Sequence, residues 1–259
     1  MRYAPLLCAA LGLAACNGHR DARAPAEAAA ERAPVEAPVT AASSATSVPS
    51  IRYDDEALSL FRERGLTGSF VLLDVSTGSE TIVGREDADE RHVPFSTFKI
   101  PNTLIGLETG VIPDERFSLK WDGERRRVDA WNRDHDLATA MKDSVVWFYQ
   151  EVARRIGEAR MRAWTARLDY GNHEVRGAID AFWLDDGSLR ITPREQVAFL
   201  RRLLDGTLPV SERSVRIVTR IVPSERIEDA VVYGKTGLGE EGGRAMGWLV
   251  GWVDRGASR

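Results

Sequence analysis

Hydrophobic residues along the chain recur with two different periods, and each period predicts a different kind of element. Helices are predicted where apolar positions return every three or four residues: 54–64, 96–109, 144–156, 158–168, 192–205 and a further helix from 211. Strands or hairpin edges are predicted where apolar runs are short and bounded by turn residues: 69–75, 81–83, 183–191, 230–236 and 247–253. Strands near both ends with helices between them predict an α+β domain, in which one antiparallel sheet packs against a helical lobe.

The first fifty residues follow neither period. Residues 1–15 combine the positive Arg2 with an apolar stretch that is too short to span a bilayer, which predicts an export signal. The signal runs into Leu-Ala-Ala-Cys16, which is similar to the bacterial lipobox, so we expect a lipoprotein anchored at Cys16; ordinary cleavage at a small residue is the alternative. Residues 16–50 are rich in Ala, Pro, Glu and Ser without any aromatic residue, which predicts a disordered tether. Because Asn17 rather than aspartate follows the cysteine, a periplasmic location at the outer membrane is expected.

Composition limits the chemistry of the folded part, residues 51–259. The chain has 259 residues, 43% of them hydrophobic, which is enough to bury a sizeable core. A net charge of −4 without a basic run gives no sign of nucleic-acid binding. Both cysteines, Cys8 and Cys16, precede the folded part, so it has no disulfide and no thiolate nucleophile. The histidines are scattered, and we expect no metal. The oligomeric state does not follow from the sequence.

The segment 94–102, Pro-Phe-Ser-Thr-Phe-Lys-Ile-Pro-Asn, carries the strongest chemical signal. Ser96 and Lys99 are three positions apart, so their side chains share one helix face and can meet. A serine hydroxyl becomes a nucleophile when an adjacent base takes its proton, and a lysine in apolar surroundings can lose its charge and serve as that base. The neighbouring phenylalanines and isoleucine provide such surroundings. The same spacing also fits a helix N-cap followed by a solvated lysine.

Four further motifs follow in order along the chain. They are Ser144-Val145-Val146, Tyr170-Gly171-Asn172, Phe182-Trp183-Leu184 and Lys235-Thr236-Gly237. Ser-x-x-Lys with a later Lys-Thr-Gly marks serine β-lactamases and penicillin-binding proteins. From about Ile51 onward, the set and its order resemble the class D (oxacillinase-type) serine β-lactamases. The resemblance implies the β-lactamase/transpeptidase-like fold.

The resemblance also implies a base and its surroundings. In class D enzymes the motif lysine reacts with carbon dioxide, so Lys99 is expected to become N6-carboxylysine and to act as general base in acylation and deacylation. Only the uncharged amine reacts, and burial lowers a lysine pKa towards that state. Trp183 matches the tryptophan whose indole N–H donates to the carbamate, with a plain core tryptophan as the alternative. Val146 would be an apolar lid beside the carbamate, and Tyr170 and Asn172 would shape their loop. No other cofactor is implied.

The remaining motif residues are implied to move protons and to bind substrate. Ser144 would pass a proton to the departing lactam nitrogen with the help of Lys235; a helix cap is the alternative for Ser144. Thr236 and Gly237 would line the strand along which the substrate lies. The backbone N–H groups of the nucleophile and of Leu238 would form the oxyanion hole.

The chain departs from the family at its C-terminus. It ends at Arg259, shortly after the predicted strand 247–253, where family members continue with one more strand and a long helix. In this fold that strand lies between the strands at Phe70 and Trp248. The resemblance therefore predicts a C-terminally truncated domain of low stability, whose melting temperature a family-like extension would raise. The family's arginine for the substrate carboxylate lies in the missing helix, and Arg244 is not assumed to replace it.

Together these residues predict hydrolysis of β-lactam antibiotics through an acyl-enzyme on Ser96. One alternative is a penicillin-binding sensor domain, which is acylated but not turned over; another is an inactive truncated remnant. Sensors are normally fused to transmembrane and protease segments, whereas this chain carries a short export signal, which favours the enzyme. The range of β-lactams, carbapenems included, depends on loop shapes that the sequence does not fix.

Overall fold

The structure, a computed structural model, describes residues 50–256. The expected signal segment 1–15, the lipidation site Cys16 and the tether up to residue 49 lie outside the described residues. Within 50–256, no helix is both long and apolar enough to cross a membrane.

Strands and helices alternate unevenly along the described chain. The strands are β1 Ile51–Tyr53, β2 Phe70–Asp74, β3 Ser79–Val83, β4 Ser118–Leu119, β5 His135–Asp136, β6 Ser224–Ile227, β7 Ala230–Glu241 and β8 Arg244–Asp254. The α-helices are α1 Ser59–Arg62, α2 Arg85–Ala88, α3 Lys99–Glu108, α4 Leu137–Lys142, α5 Val146–Ile156, α6 Glu158–Arg167, α7 Pro193–Leu204 and α8 Glu212–Ile221. Single 3₁₀ turns cover Phe95–Phe98 and Asp129–Trp131.

Two three-stranded sheets form near the two ends of the described chain, and β4 pairs with β5 in a separate two-stranded sheet. β2 and β3 make an antiparallel hairpin, and β1 joins the other side of β3 in parallel. β7 is central in the order β6-β7-β8, and its antiparallel register with β8 is unbroken from Val231 opposite Asp254 to Glu241 opposite Arg244. The α+β class is confirmed, whereas the single antiparallel sheet is replaced by two three-stranded sheets. The reason is that, within residues 50–256, no strand pairs with both β2 and β8.

The outer strands β2 and β8 each expose apolar side chains. These are Phe70 and Leu72 on β2 and Leu249 and Val253 on β8. An outer strand leaves one row of backbone N–H and C=O groups without a sheet partner. The strand that the sequence predicts to be missing would pair with these two outer strands, at Phe70 and at Trp248; its absence stays a prediction.

Helix α3 is the centre of the core. It packs against α5, α6 and α8, and it is buried around its whole circumference, including the polar Lys99, Asn102 and Thr103. Gly106 lets Ile112 approach closely, because a Cβ at this position would lie 2.6 Å from the Cδ1 of Ile112. The core therefore fixes the helix that begins at Lys99, directly after the 3₁₀ turn that carries Ser96.

Capping signals place two later helices where the sequence predicts them. Thr192 and Glu195 exchange side chain-to-backbone hydrogen bonds of 2.9 Å in both directions, and Pro193 occupies the first helical position of α7. Ser211 caps α8 by accepting a hydrogen bond from the N–H of Ser214. These helices begin at their predicted residues because the caps satisfy backbone donors that the helix leaves open.

Two predicted elements differ in the structure. The helix predicted over 54–64 contracts to α1, because its first residues form turns with i to i+3 hydrogen bonds, such as Leu60 N–H to Ala57 C=O at 3.2 Å. The prediction of a strand or hairpin edge over 183–191 holds only at its last residue, because Ile191 makes an isolated antiparallel bridge with His92 and no continuous strand forms. Turns fold that segment back on itself, and the N–H of Leu189 donates to the carbonyl of Phe182 at 3.0 Å.

Candidate active site

Ser96 and Lys99 meet where the 3₁₀ turn Phe95–Phe98 runs into α3. The Nζ of Lys99 donates to the Oγ of Ser96 at 2.7 Å. The N-cap positions of these two helices are Pro94 and Phe98, so the interpretation of Ser96 as an ordinary helix cap is wrong. Ser96 keeps 8% of its surface exposed and Lys99 only 1%. The Ser96 hydroxyl therefore lies at the edge of the surface, and the Lys99 amine next to it is buried.

The surroundings of Lys99 disfavour the charged amine. Burial lowers the pKa of Lys99 well below its usual value, and the positive charge of Lys235 lowers it further. The ring of Tyr149 has its centroid 5.4 Å from the Nζ. Among residues 50–256, no carboxylate contacts the amine. The predicted uncharged lysine next to Ser96 thus has a physical basis in its desolvation.

Ser144 and Lys235 form a second hydrogen-bonded pair. The Nζ of Lys235 donates to the Oγ of Ser144 at 3.0 Å and to the carbonyl of Thr236 at 2.8 Å. Ser144 has a φ of +54°, a left-handed conformation that is uncommon outside glycine and concentrates at functional sites. Val145 is the N-cap of α5, so the alternative of Ser144 as a helix cap is wrong. Burial lowers the pKa of Lys235 to about 8.

The edge of β7 presents backbone donors on the side away from β8. The N–H of Gly234 donates to the carbonyl of Pro223, at the β6 edge. Because the register of β7 with β8 has no bulge, every second N–H from Gly234 points to the same edge, and the N–H of Leu238 is one of them. Gly237 is buried beside Pro94, whereas the side chains of Thr236 and Leu238 are exposed on the opposite face of the strand. Leu238 can therefore serve through its N–H while its side chain faces solvent.

Trp183 packs against the residue before Lys99, whereas Val146 begins α5 close to Ser144. Trp183 is buried against the ring of Phe98, the residue before Lys99, with ring centroids 5.3 Å apart. Among the described residues, its indole N–H makes no hydrogen bond. Val146 is the half-buried first residue of α5, two positions after Ser144. Its place beside a carbamate stays a prediction.

The Tyr-Gly-Asn motif holds a loop, in agreement with its interpretation as a shaping element. The hydroxyl of Tyr170 donates to Oε1 of Gln196 at 3.2 Å. The amide of Asn172 joins two segments, because its Oδ1 accepts from the N–H of Arg190 and its Nδ2 donates to the carbonyl of Ser188. These contacts order the loop that leads to Trp183.

Two neighbours of the site were not predicted from the sequence. Tyr149 faces Lys99, and its hydroxyl lies 3.1 Å from Oγ1 of Thr103. Gln196 donates to Oγ1 of Thr97, the residue after the nucleophile, at 2.8 Å. The helical spacing of Tyr149 within α5 indicated burial, but nothing in the sequence indicated which residue it would face.

We expect Lys235 to make the stability of the protein depend on pH between about 8 and 10.5. Below this range both the folded and the unfolded chain bind the proton, so the cost of burying the charge is fully present. Within the range only the unfolded chain binds it, so the free energy of unfolding rises with pH. Lys235→Met should show a smaller rise than the unsubstituted protein between pH 7 and pH 10 in urea denaturation. An equal rise in both would contradict the depressed pKa, and exposed Lys120→Met is the matched control.

The chain is similar in sequence to proteins of known family. Residues 68–258 match the penicillin-binding protein transpeptidase domain. β-Lactamase OXA-48 of Klebsiella pneumoniae is 50% identical over 167 residues, which are 64% of this chain and 63% of that protein. The chain thus spans less than two thirds of the length of this relative.

Solved structures match over a larger share. The class D β-lactamase from Sebaldella termitidis has a TM-score of 0.76 and 35% identity, covering 80% of this chain and 83% of the other. The C-terminal domain of the BlaR penicillin receptor from Bacillus licheniformis has a TM-score of 0.75 and 32% identity, over the same shares of the two chains. Residues 68–258, which match the transpeptidase domain, include both lysine–serine pairs, β7 and Trp183. With the fold and these motifs in common, the chain belongs to the class D β-lactamases, within the penicillin-binding transpeptidase family.

Proposed function

We propose that the protein hydrolyses β-lactam antibiotics through an acyl-enzyme on Ser96. The observation that carries this proposal is the 2.7 Å hydrogen bond from the buried amine of Lys99 to the Ser96 hydroxyl, without any contacting carboxylate in the described residues. A neutral amine in this position can orient the hydroxyl, and the site can withdraw its proton without a histidine. This arrangement supports nucleophilic attack on an acyl carbon.

The contacts around Ser96 support the following steps of acylation. Its Oγ bonds to the lactam carbonyl carbon, and the hydroxyl proton leaves towards Lys99. The oxyanion is stabilised by the N–H groups of Ser96 and Leu238, donors of a kind worth about 3 kcal/mol each. The C–N bond then breaks, and the nitrogen takes a proton from Ser144, which Lys235 resupplies through their 3.0 Å hydrogen bond.

We further propose that Lys99 carries a carbamate in the active protein. The desolvated amine favours the uncharged form, which is the one that reacts with carbon dioxide. The indole N–H of Trp183 has no hydrogen-bond partner among the described residues and so offers a donor, and its ring packs against Phe98. The residues present therefore fit the group. When present, a carbamate supplies a carboxylate base beside Ser96.

Deacylation completes the reaction. A water molecule adds its oxygen to the acyl carbon and loses a proton on the Lys99 side of the cleft. The ester bond to Oγ breaks, Ser96 regains its proton, and the opened antibiotic leaves as a carboxylic acid. The same two N–H groups stabilise this second tetrahedral intermediate.

A penicillin-binding sensor is the second candidate. The BlaR receptor domain has a TM-score of 0.75 with this chain, nearly the same as the 0.76 of the Sebaldella termitidis β-lactamase. A sensor would share the acylation chemistry and would differ in the second half-reaction. Its acyl-enzyme would persist. An inactive remnant would form no acyl-enzyme at all.

Hydrolysis of the chromogenic cephalosporin nitrocefin by the purified full chain separates these possibilities. The proposed enzyme gives a steady rate that continues for many equivalents. A sensor gives a colour burst of about one equivalent and then stops, and a remnant gives no colour above buffer; either result would overturn the proposed hydrolysis.

A further inference from the structure

One face of β7 lies against the segment that leads into the nucleophile. Lys235, Gly237, Gly239 and Glu241 alternate with exposed residues, so they share this face. A Cβ on Gly237 would lie 3.0 Å from the carbonyl oxygen of Pro94. The face is therefore in close contact with the backbone just before Ser96.

The closest fit is between Gly239 and Phe95. A Cβ on Gly239 would lie 2.1 Å from Cε1 of the Phe95 ring and 2.3 Å from Cδ1, which is too close for any real contact. Gly239 has no positive φ, so the ring, and not the backbone conformation, is what requires glycine here. The bulk of Phe95 and the missing side chain of Gly239 are complementary.

Phe95 is held in an unusual conformation by this packing. Its φ is +48°, which is an outlier for a bulky residue, and its side chain is almost completely buried. It is also the residue directly before Ser96. Such a conformation persists only where the surroundings determine it, so the position of the ring on β7 also sets the position of the Ser96 N–H.

Polar side chains hold the far end of the same face. Oε2 of Glu241 lies 2.9 Å from Nδ1 of His92, and its other carboxylate oxygen accepts from the guanidinium of Arg190. His92 and Ile191 exchange backbone hydrogen bonds of 3.0 and 2.9 Å. Trp248, on β8, donates its indole N–H to the carbonyl of Val93 at 2.9 Å. The segment before Ser96 is thus bonded to β7, to β8 and to the 190–191 loop.

We propose that the fit of Phe95 on Gly239, held by the Glu241–His92–Arg190 contacts, sets the spacing between the two N–H groups of the oxyanion hole. Leu238 lies between the two glycines, and its N–H faces the edge of β7 that borders Ser96. Any side chain on Gly239 moves β7 away from the 3₁₀ turn that carries Ser96, and this separates the N–H of Ser96 from the N–H of Leu238. Phe95, Gly239 and Glu241 are positioning residues; the inference rests on the proposed function and deepens it.

An arylboronic acid tests this spacing without turnover. It forms a tetrahedral adduct with a serine hydroxyl and places an oxygen in the oxyanion hole, so its dissociation constant reports on the two donors. Gly239→Ala in the full chain should weaken binding and slow penicillin acylation by about 10- to 100-fold, a fraction of the effect of deleting one donor. Gly247→Ala is the matched control, because a Cβ there would have its nearest neighbour at 4.0 Å. It should change neither value more than about twofold, within the range of ordinary surface substitutions.

A double-mutant cycle separates positioning from general destabilisation. Gly239→Ala should have little effect on boronic acid binding once Phe95→Ala has removed the ring. The same loss in both backgrounds, or no loss in Gly239→Ala alone, would overturn the inference. Glu241→Ala should also weaken binding. Glu241→Gln should restore most of it, because its amide oxygen can accept from Arg190 while its NH2 donates to Nδ1 of neutral His92. A protein that binds the boronic acid but leaves nitrocefin intact would sink the proposed hydrolysis and leave this test valid, whereas no boronate adduct would overturn both.

Discussion

Lys99→Met is expected to lower penicillin turnover by about 100- to 10,000-fold, the contribution typical of a general base. Methionine keeps the volume of the buried side chain and removes the amine that contacts Ser96 at 2.7 Å. Without a group on this side of the cleft, neither the hydroxyl proton nor the proton of the attacking water has an acceptor. Steady-state kinetics with a penicillin measures the loss, and exposed Lys120→Met is the matched control.

The same substitution should raise the melting temperature at pH 7 when carbon dioxide is removed from the buffer. Because burial lowers the pKa of Lys99 well below its usual value in the folded protein, folding must either bury the charged amine or release its proton. This cost is present at pH 7, shrinks as pH rises, and disappears above the ordinary lysine pKa of 10.5. The advantage of methionine should therefore be smaller at pH 10. A variant that is both less stable at pH 7 and as active as the unsubstituted protein would contradict the assignment of Lys99.

Trp183→Ala is expected to destabilise the protein by about 3–5 kcal/mol, as for other buried aromatic residues. Its ring packs against both Phe98 and Phe182, so alanine leaves a cavity beside the turn that carries Lys99. For a domain of this size the loss corresponds to a decrease in melting temperature of about 6–20 °C. Calorimetry measures it. The half-buried Trp164→Ala is the matched control and should cost clearly less.

Trp183→Phe separates packing from the role of the indole N–H. Phenylalanine retains most of the apolar contact, so the melting temperature should fall less than in the alanine variant. Turnover should fall and should become more dependent on added bicarbonate, because a carbamate on Lys99 loses the donor that holds it. Full activity without bicarbonate in Trp183→Phe would indicate a plain core tryptophan.

Local signals in the sequence predicted the helices and the first catalytic pair. The caps at Thr192 and Ser211 are formed within four residues of chain, and the Ser96–Lys99 contact follows from helical spacing alone. The segment 183–191 was mispredicted for the opposite reason. Its short apolar run has the composition of a strand, and only its turn hydrogen bonds decide against one.

Contacts between distant residues could not be derived in the same way. Lys235 and Ser144 are 91 positions apart, and their pairing was available only through resemblance to a family. β7 extends to Glu241, beyond the predicted end at 236, because pairing with β8 outweighs the weak strand preference of its glycines. The fit of Phe95 on Gly239 has no sequence signal at all, since a phenylalanine before a serine and a glycine in a strand are each unremarkable alone.

The central claim is that Ser96 is acylated by a β-lactam and then released by hydrolysis. Its most direct test is the intact mass of the full chain, followed from milliseconds to minutes after mixing with a penicillin, with peptide mapping of the modified residue. We expect a transient increase by one penicillin on Ser96, a return to the starting mass, and accumulation of penicillin plus one water. A persistent adduct, an adduct on another residue, or no adduct would contradict the proposed hydrolysis.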